Sequence, residues 1–286
     1  MRYSKIYLLS FLIMLLPYDA YAGAKDSAHE KQISERLEQE ANYTEVIWLE
    51  ANNQKFIGLF NQQTAKKASG AIIFLHGMGG HADWPYIISP LRQSLPEQGW
   101  STLSIQLPLL TMATPIEDYG KTLSPTADRI EAAVRFLRTR KFLNIVVIGH
   151  SFGAANALHY MSDGQRPEIL ALVAIGLQEY AFLKPSINTL KLLEDTRIPI
   201  LDIYGEKDYQ KVIQQADDRR IAARKGKNDS YVQVEFEGAD HFFLKMEDAL
   251  AKRIRGWLDK AAPGVSIMVN ENFDGNDQKE NEEKSP

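Results

Sequence analysis

Four predominantly apolar runs of strand length constrain the fold more than any other feature of this sequence. They occupy residues 71–75, 145–148, 169–175 and 198–204. A strand with one face in water alternates apolar and polar residues, whereas a strand covered on both faces is apolar throughout. Stretches with helical spacing separate the runs; in one of them Ile130, Val134 and Leu137 recur on one face. The pattern predicts an α/β protein with a mostly parallel central sheet and helices on both faces.

The remaining elements are predicted from shorter patterns. Residues 45–49 and 55–60 are β-like runs that predict an opening hairpin. Asp83 is expected to cap a helix that has Pro85 in its first turn, and residues 212–224 are expected to form a single helix. In parallel sheets of this kind ligands bind at the carboxyl ends of the strands, so functional residues are sought there.

Composition excludes several classes of function. The 286 residues include no cysteine, which rules out disulfides, thiol nucleophiles and cysteine metal sites. The formal net charge of −4 gives no reason to expect nucleic-acid binding, which usually requires a basic surface.

The N-terminus has the pattern of a secretory signal peptide over residues 1–22. Arg2 and Lys5 precede an apolar stretch at residues 6–16, and Ala20 and Ala22 form a small-x-small site with cleavage expected after Ala22. The apolar stretch is short for a bilayer span, so no stable membrane span is expected after cleavage, although an uncleaved anchor is the alternative. In a bacterium the mature protein would be periplasmic.

The two segments that flank the central domain are polar. Residues 23–43 are expected to form a polar N-terminal arm or helix, and residues 263–286 an acidic, disordered tail. The tail could bind a protein partner, but its sequence does not identify one. Residues 44–262 then form one large domain.

The sequence Gly149-His150-Ser151-Phe152-Gly153 joins the predicted strand at 145–148 to a predicted helix at 151–161. A sharp turn there requires small neighbours, which Gly149 and Gly153 provide. One interpretation is tight packing alone. The other is a nucleophile elbow, in which a strand-to-helix turn exposes the hydroxyl of Ser151 for attack.

A serine nucleophile needs a histidine base, and six histidines are available. Five of them are less suitable by position: His29, His76, His81, His150 and His159. His241 follows the last predicted strand, on a loop at the carboxyl edge of the sheet, and is the preferred base. A structural role at the start of the last helix is the alternative for His241.

The base in turn requires a carboxylate that fixes its tautomer and stabilises the imidazolium. Asp208 is preferred because it follows a strand, just beyond the turn at Gly205. Asp202 within the strand, Glu206 and Asp240 remain alternatives.

Two backbone N–H groups are candidates for an oxyanion hole. One belongs to Phe152, directly after the serine, and the other to Met78 in the glycine-containing segment at residues 76–80. Gly77 in that segment lets the backbone approach a substrate closely. A plain loop is the alternative for this segment.

The order Ser151, Asp208, His241, with His76-Gly77 upstream, resembles the α/β-hydrolase superfamily over about residues 45–260. More narrowly, residues 83–108, LDIYGEKD at 201–208 and GADHFF at 238–243 resemble an uncharacterised family of exported Gram-negative proteins with this fold. The resemblance implies a three-layer α/β-hydrolase fold. It brings no substrate.

The expected activity is hydrolysis of a small carboxylic ester by a serine nucleophile, through an acyl-enzyme and without a metal or organic cofactor. Residues 177–199 have room for one helix and not for a large cap domain, so an open site is expected. Apolar residues expected on the rim favour an apolar substrate group: Met78, Leu109, Leu110, Met112, Phe152, Phe182 and Phe242. These side chains could equally belong to the core. A non-catalytic binding module and a cell-envelope accessory protein are the alternative functions.

Overall fold

The computed structural model describes residues 18–264, except residues 43, 163 and 165 and the side chains of residues 18–25. The expected signal peptide and acidic tail lie largely outside these residues. Within them no helix is long and apolar enough to cross a membrane.

Eight strands form one sheet in the described part of the chain. They are β1 (Glu45–Ala51), β2 (Gln54–Asn61), β3 (Gly70–Leu75), β4 (Trp100–Ile105), β5 (Ile145–His150), β6 (Ile169–Ile175), β7 (Ile200–Lys207) and β8 (Tyr231–Asp240). The spatial order is β1-β2-β4-β3-β5-β6-β7-β8. The β1–β2 hairpin and the β2–β4 pair are antiparallel, and every other pair is parallel. The predicted mostly parallel sheet is therefore confirmed.

Helices cover both faces of the sheet. They are α1 (Tyr18–Glu40), α2 (Ile88–Ser94), α3 (Leu123–Thr139), α4 (Phe152–Ser162), α5 (Thr189–Asp195), α6 (Gln210–Gln214), α7 (Ala216–Lys225) and α8 (Glu247–Ala261). One core layer packs α3, α4 and α5 against the sheet, and a second packs α2 and α8 against the other face. The apolar strands are buried because each of them contributes side chains to both layers.

The connection from β6 to β7 contains only the short helix α5, as the length of residues 177–199 predicts. A large cap domain is absent from this described connection. The carboxyl edge of the sheet is therefore bordered by loops and by the first turns of helices.

Two helix predictions are wrong. Residues 82–87 form turns, and α2 begins only at Ile88, because Asp83 binds the buried Arg92 at 2.6 Å instead of capping a helix. The helix predicted at 212–224 is two helices, α6 and α7, which meet at Gln215. In both places a tertiary contact or a local break outweighs the helical pattern.

Helix α1 lies over the loop that follows β4. Leu37 is buried against Ile57 and Leu59 of β2. Asp26 accepts a hydrogen bond from the backbone N–H of Thr111 at 2.7 Å, and Glu30 accepts one from Leu109 at 3.2 Å. The polar N-terminal segment is thus a docked helix, and it runs through the expected cleavage point after Ala22.

Candidate active site

Ser151 is the single residue between β5 and α4, and its φ of +54° is a conformation that only a minority of non-glycine residues adopt. Hydrogen bonds on both sides hold it there. Its N–H donates to the carbonyl of Ile175 on β6 at 2.7 Å, and its carbonyl accepts from Ala154 at 3.0 Å. The strand-to-helix turn predicted from the sequence is therefore present, with the serine at its corner.

Steric crowding explains why Gly149 and Gly153 flank the turn. A Cβ on Gly153 would lie 2.3 Å from the carbonyl oxygen of Leu75 at the end of β3, and a Cβ on Gly149 would lie 2.5 Å from Cα of Ala154. Neither position has room for a side chain. The absence of side chains lets α4 begin directly against the ends of β3 and β5.

Asp208 and His241 meet at the carboxyl edge. They directly follow the neighbouring parallel strands β7 and β8, and the two atoms Nδ1 of His241 and Oδ1 of Asp208 are 2.5 Å apart. Since a carboxylate only accepts, Nδ1 carries the hydrogen and Nε2 is left as the basic nitrogen. Both side chains are buried. The backbone N–H groups of Gly205 and Tyr209 also donate to Asp208, which holds the carboxylate in place.

The other candidate acids have different partners. Asp202 binds Arg219, Glu206 accepts from the N–H of Gly238, and Asp240 accepts from the N–H groups of the turn that follows β8. Among the described residues only Asp208 forms a hydrogen bond with the imidazole of His241.

Two neighbours of His241 were missed by the sequence reasoning. The ring of Tyr209 stacks on the imidazole, with centroids 4.0 Å apart and planes inclined by 22°. Gly176 directly follows β6 and has a φ of +64°. A side chain there would collide with the imidazole, since a Cβ would lie 2.8 Å from Cε1 of His241. Both residues follow strand ends, which was a usable indication of their location.

The hydroxyl of Ser151 is bonded to a residue that the sequence analysis did not select. Its Oγ lies 3.2 Å from the hydroxyl oxygen of Tyr180, in the segment after β6. In the described part of the chain, Oγ forms no hydrogen bond with His241, and Nε2 of His241 has no partner. The structure thus brings Asp208 and His241 into direct contact but does not join Ser151 to them in this state.

The segment after β3 forms a tight turn beside Ser151. The carbonyl of Gly77 accepts from the N–H of Gly80 at 3.0 Å, which places Met78 and Gly79 at the corners of the turn. A Cβ on Gly77 would be 3.4 Å from Cβ of Ser151, so this backbone runs directly past the serine. The N–H of Phe152 belongs to the first turn of α4, where N–H groups have no partner within the helix. The two proposed oxyanion donors therefore come from segments that adjoin Ser151.

A neutral histidine, His76, forms a hydrogen bond with this turn. Nε2 of His76 accepts from the N–H of Leu107 at 3.0 Å and from the amide of Gln106 at 2.9 Å, so Nδ1–H donates to the carbonyl of Gly77 at 2.8 Å. Burial lowers the pKa of His76 to about 3. The ring is therefore a fixed structural link and is uncharged at neutral pH.

This link extends to the N-terminal helix. Glu30 of α1 pairs with Arg129 of α3 at 2.8 Å, and Arg129 donates to the carbonyl of Gln106 at 2.9 Å. Gln106 in turn binds His76. A continuous set of polar contacts thus connects the arm to the turn that contains Met78.

His150 is also buried and neutral. Its Nε2–H donates to the backbone carbonyl of His241 at 3.0 Å, and its ring centroid is 4.7 Å from that of His241. Burial, together with the neighbouring His241, lowers the pKa of His150 to about 3. His150 therefore supports the loop that carries His241.

The residues expected on the rim differ in burial, and three of them are partly buried: Met78, Leu110 and Phe242. Leu109 and Phe152 are buried in the core, while Met112 and Phe182 are exposed. Aromatic rings continue around His241: the exposed Tyr86 packs on the partly buried Phe242, with centroids 5.2 Å apart. The surroundings of the site are thus apolar and largely aromatic. Among the described residues, no group of three or more His, Asp or Glu side chains is arranged to hold a metal ion.

Comparison with a family model gives a match over residues 17–127 and 118–260, to the family described as "Protein of unknown function (DUF3530)". A search of curated proteins gives no match.

Solved structures share the fold at low identity. Est1E from Butyrivibrio proteoclasticus is 15% identical with a TM-score of 0.60, over 74% of this chain and 97% of its own. A serine hydrolase without a lid from Xanthomonas campestris is 15% identical with a TM-score of 0.61, over 79% and 98%. Dienelactone hydrolase from Anabaena variabilis is 22% identical with a TM-score of 0.60, over 77% and 100%. The three-layer α/β-hydrolase fold implied by the sequence is therefore confirmed.

Proposed function

The chain belongs to the DUF3530 family, whose description names no activity, and has the α/β-hydrolase fold; from its site we propose that it is a serine hydrolase of small carboxylic esters. One observation carries the proposal. The 2.5 Å Asp208–His241 pair lies at the same edge of the sheet as Ser151, which is held at a positive φ on a strand-to-helix turn.

The proposed reaction begins when Nε2 of His241 takes the proton of the Ser151 hydroxyl. Oγ then attacks the ester carbonyl carbon, and the carbonyl π electrons move to the oxygen, where the N–H groups of Phe152 and Met78 stabilise the charge. Collapse of this intermediate breaks the bond to the alcohol, which leaves with the proton from His241. An acyl-enzyme on Ser151 remains.

A water molecule completes the turnover. His241 takes a proton from the water, whose oxygen attacks the acyl carbon, and the bond to Oγ breaks as His241 returns the proton to Ser151. Asp208 keeps its charge throughout and stabilises the imidazolium. These steps are carried out by side chains and backbone groups of this chain alone. The apolar and aromatic rim supports an ester with an apolar acyl or alcohol group.

The test is fluorophosphonate labelling of the protein from Gly23 onward, with the modified peptide located by mass spectrometry. We expect labelling at Ser151 and hydrolysis of p-nitrophenyl esters, and a loss of about 10⁶ in kcat in Ser151→Ala. Ser162→Ala is the matched control, since Ser162 ends the same helix and its hydroxyl, among the described residues, bonds only to the carbonyl of His159. Absence of labelling in the folded protein would favour a non-catalytic binding module. Full hydrolysis by Ser151→Ala would refute the mechanism.

We also propose export through residues 1–22, with cleavage after Ala22 and a periplasmic mature protein. Support comes from the sequence pattern, since most of this segment lies outside the described residues. N-terminal sequencing of the protein from a periplasmic extract should give Gly23 as the first residue. A full-length protein in the membrane fraction would indicate an uncleaved anchor instead.

A further inference from the structure

Tyr180 places a fixed hydroxyl beside the proposed nucleophile. The residue is 2% exposed, and its hydroxyl oxygen lies 3.2 Å from Oγ of Ser151. Its ring packs on Phe152, with centroids 5.3 Å apart, and its backbone forms a bridge with Ile187. The contact with Phe152 restrains the ring and the bridge with Ile187 restrains the backbone, so the hydroxyl has little freedom to move away from Ser151.

The hydroxyl keeps its hydrogen under all ordinary conditions. Burial raises the pKa of Tyr180 to about 12, and the hydrogen bonds with Ser151 and Gln178 only partly oppose this. The phenol is therefore a hydrogen-bond donor at every pH at which His241 could act, and it is a poor proton acceptor. A buried tyrosine hydroxyl also requires a partner, which Gln178 can supply whenever Ser151 moves.

Two moments of the proposed reaction place negative charge on Oγ. The first comes when His241 removes the proton and the O–H electron pair stays on Oγ before it forms the bond to carbon. The second comes in deacylation, when the C–Oγ bond breaks and its electron pair returns to Oγ. The N–H groups of Phe152 and Met78 are assigned to the carbonyl oxygen, so the charge on Oγ needs a different donor.

We propose that Tyr180 is a fourth catalytic residue, whose hydroxyl donates a hydrogen bond to Oγ of Ser151 as charge develops on that atom in acylation and again in deacylation. This inference rests on the proposed function. Tyr180 transfers no proton, so the proton balance between Ser151, His241, water and the leaving alcohol is unchanged. Its contribution is stronger in the transition states than in the resting enzyme, which makes it a contribution to kcat.

Tyr180→Phe tests the proposal, because it removes the hydroxyl and keeps the ring. We expect kcat to fall about 10²-fold with KM nearly unchanged, the size of the loss for one transition-state donor. Fluorophosphonate labelling of Ser151 should slow as well. Tyr160→Phe is the matched control, since Tyr160 is also 2% exposed and lies on α4, and its hydroxyl bonds to Glu131 alone in the part of the chain that the structure describes. The control should keep the activity of the wild type.

A second variant separates catalysis from packing. Replacing Tyr180 by 3-fluorotyrosine lowers the pKa of the phenol with almost no change of shape, so the rate should begin to fall at a lower alkaline pH than in the wild type. A merely structural hydroxyl would leave the pH profile unchanged.

The outcomes distinguish this inference from the function on which it rests. Wild-type kcat in Tyr180→Phe, together with an inactive Ser151→Ala, would overturn the role of Tyr180 and leave the hydrolase proposal standing. The same holds for an unchanged pH profile in the fluorotyrosine variant. A wild type that neither labels nor hydrolyses esters would overturn both.

Discussion

Strand β7 and the turn after it present two buried aspartates with opposite surroundings. Asp202, in the strand, accepts from Arg219 at 2.7 Å, Tyr231 at 2.5 Å and Gln233 at 2.9 Å, all through Oδ2. Asp208, just beyond the strand, accepts from His241 at 2.5 Å. The two carboxylates are equally buried, but their partners differ. An arginine keeps its proton at every physiological pH, whereas a histidine can gain and lose one.

The difference assigns different roles to the two carboxylates. The pKa of Arg219 is above its usual value because the charge of Asp202 outweighs the effect of burial, and burial together with Asp202 raises the pKa of Tyr231. The carboxylate of Asp202 is thus held in a buried ion pair with Arg219 inside the sheet. The pair at Asp208 is also buried, but among the described residues Nε2 of His241 has no partner, which is the requirement for proton transfer.

The largest expected effect is on activity. Asp208→Asn should lower kcat about 10⁴-fold, since an amide can hold His241 in the wrong tautomer. Asp202→Asn should leave kcat per folded molecule within about twofold, because Asp202 contacts no group of the site. Ester hydrolysis, normalised to the folded fraction, measures both. The reverse result would make Asp202 the catalytic acid and break the comparison.

The next effect is on stability. Asp202→Asn leaves Arg219 buried without its counter-ion, and the free energy of unfolding should fall by about 3–5 kcal/mol. Urea denaturation with an unchanged m-value checks this. Asp217→Asn is the control: Asp217 pairs with Arg220 on the surface, and its loss should cost below about 1 kcal/mol. An equal loss of unfolding free energy in the two variants would show that the buried Asp202–Arg219 pair stabilises the fold no more than the surface pair does.

A graded effect on stability is expected from acid, and it concerns the two buried histidines at the carboxyl edge of the sheet. His76 and His150 have a pKa of about 3 when folded, against 6.5 for an unperturbed histidine. Between these values the unfolded chain binds more protons, so stability is complete above pH 6.5 and falls as the pH drops toward 3. Each histidine should contribute about 1.4 kcal/mol per pH unit.

Urea denaturation between pH 6.5 and 5 measures how the free energy of unfolding changes with pH. NMR titration of the imidazole ring protons shows whether His76 and His150 cause the change. A resonance of His76 or His150 with a midpoint near 6.5 would contradict the assignment of these rings as neutral braces.

Much of the site could be predicted because its members follow strand ends in sequence. Ser151, Asp208 and His241 each come directly after an apolar or strand-like run, and parallel strands bring their carboxyl ends together. Tyr180 has the same property, since it follows β6, but tyrosine has no sequence motif that marks it as functional. Its contact with Ser151 depends on how the segment after β6 folds back onto α4.

The contacts that could not be predicted involve polar residues whose partners lie far away in the sequence. Asp83 has the sequence of a helix cap, yet the buried Arg92 offers it a stronger, charge-assisted partner. The N-terminal arm was expected to be a polar arm or helix, and its sequence indicates no partner for it. Asp26 and Glu30 instead bind the loop after β4 and Arg129. Partners distant in sequence decided both outcomes.

The sequence by itself determined the mostly parallel sheet, the strand-to-helix turn at Ser151 and the order of the three candidate catalytic residues, because these depend on periodicity and on local turn sterics. Only the tertiary structure decided which buried aspartate meets His241, that Tyr180 occupies the other side of Ser151, and that the N-terminal helix is linked to the turn at Met78. Those contacts join segments far apart in the chain, and their geometry is fixed by packing and by the need of each buried polar group for a partner.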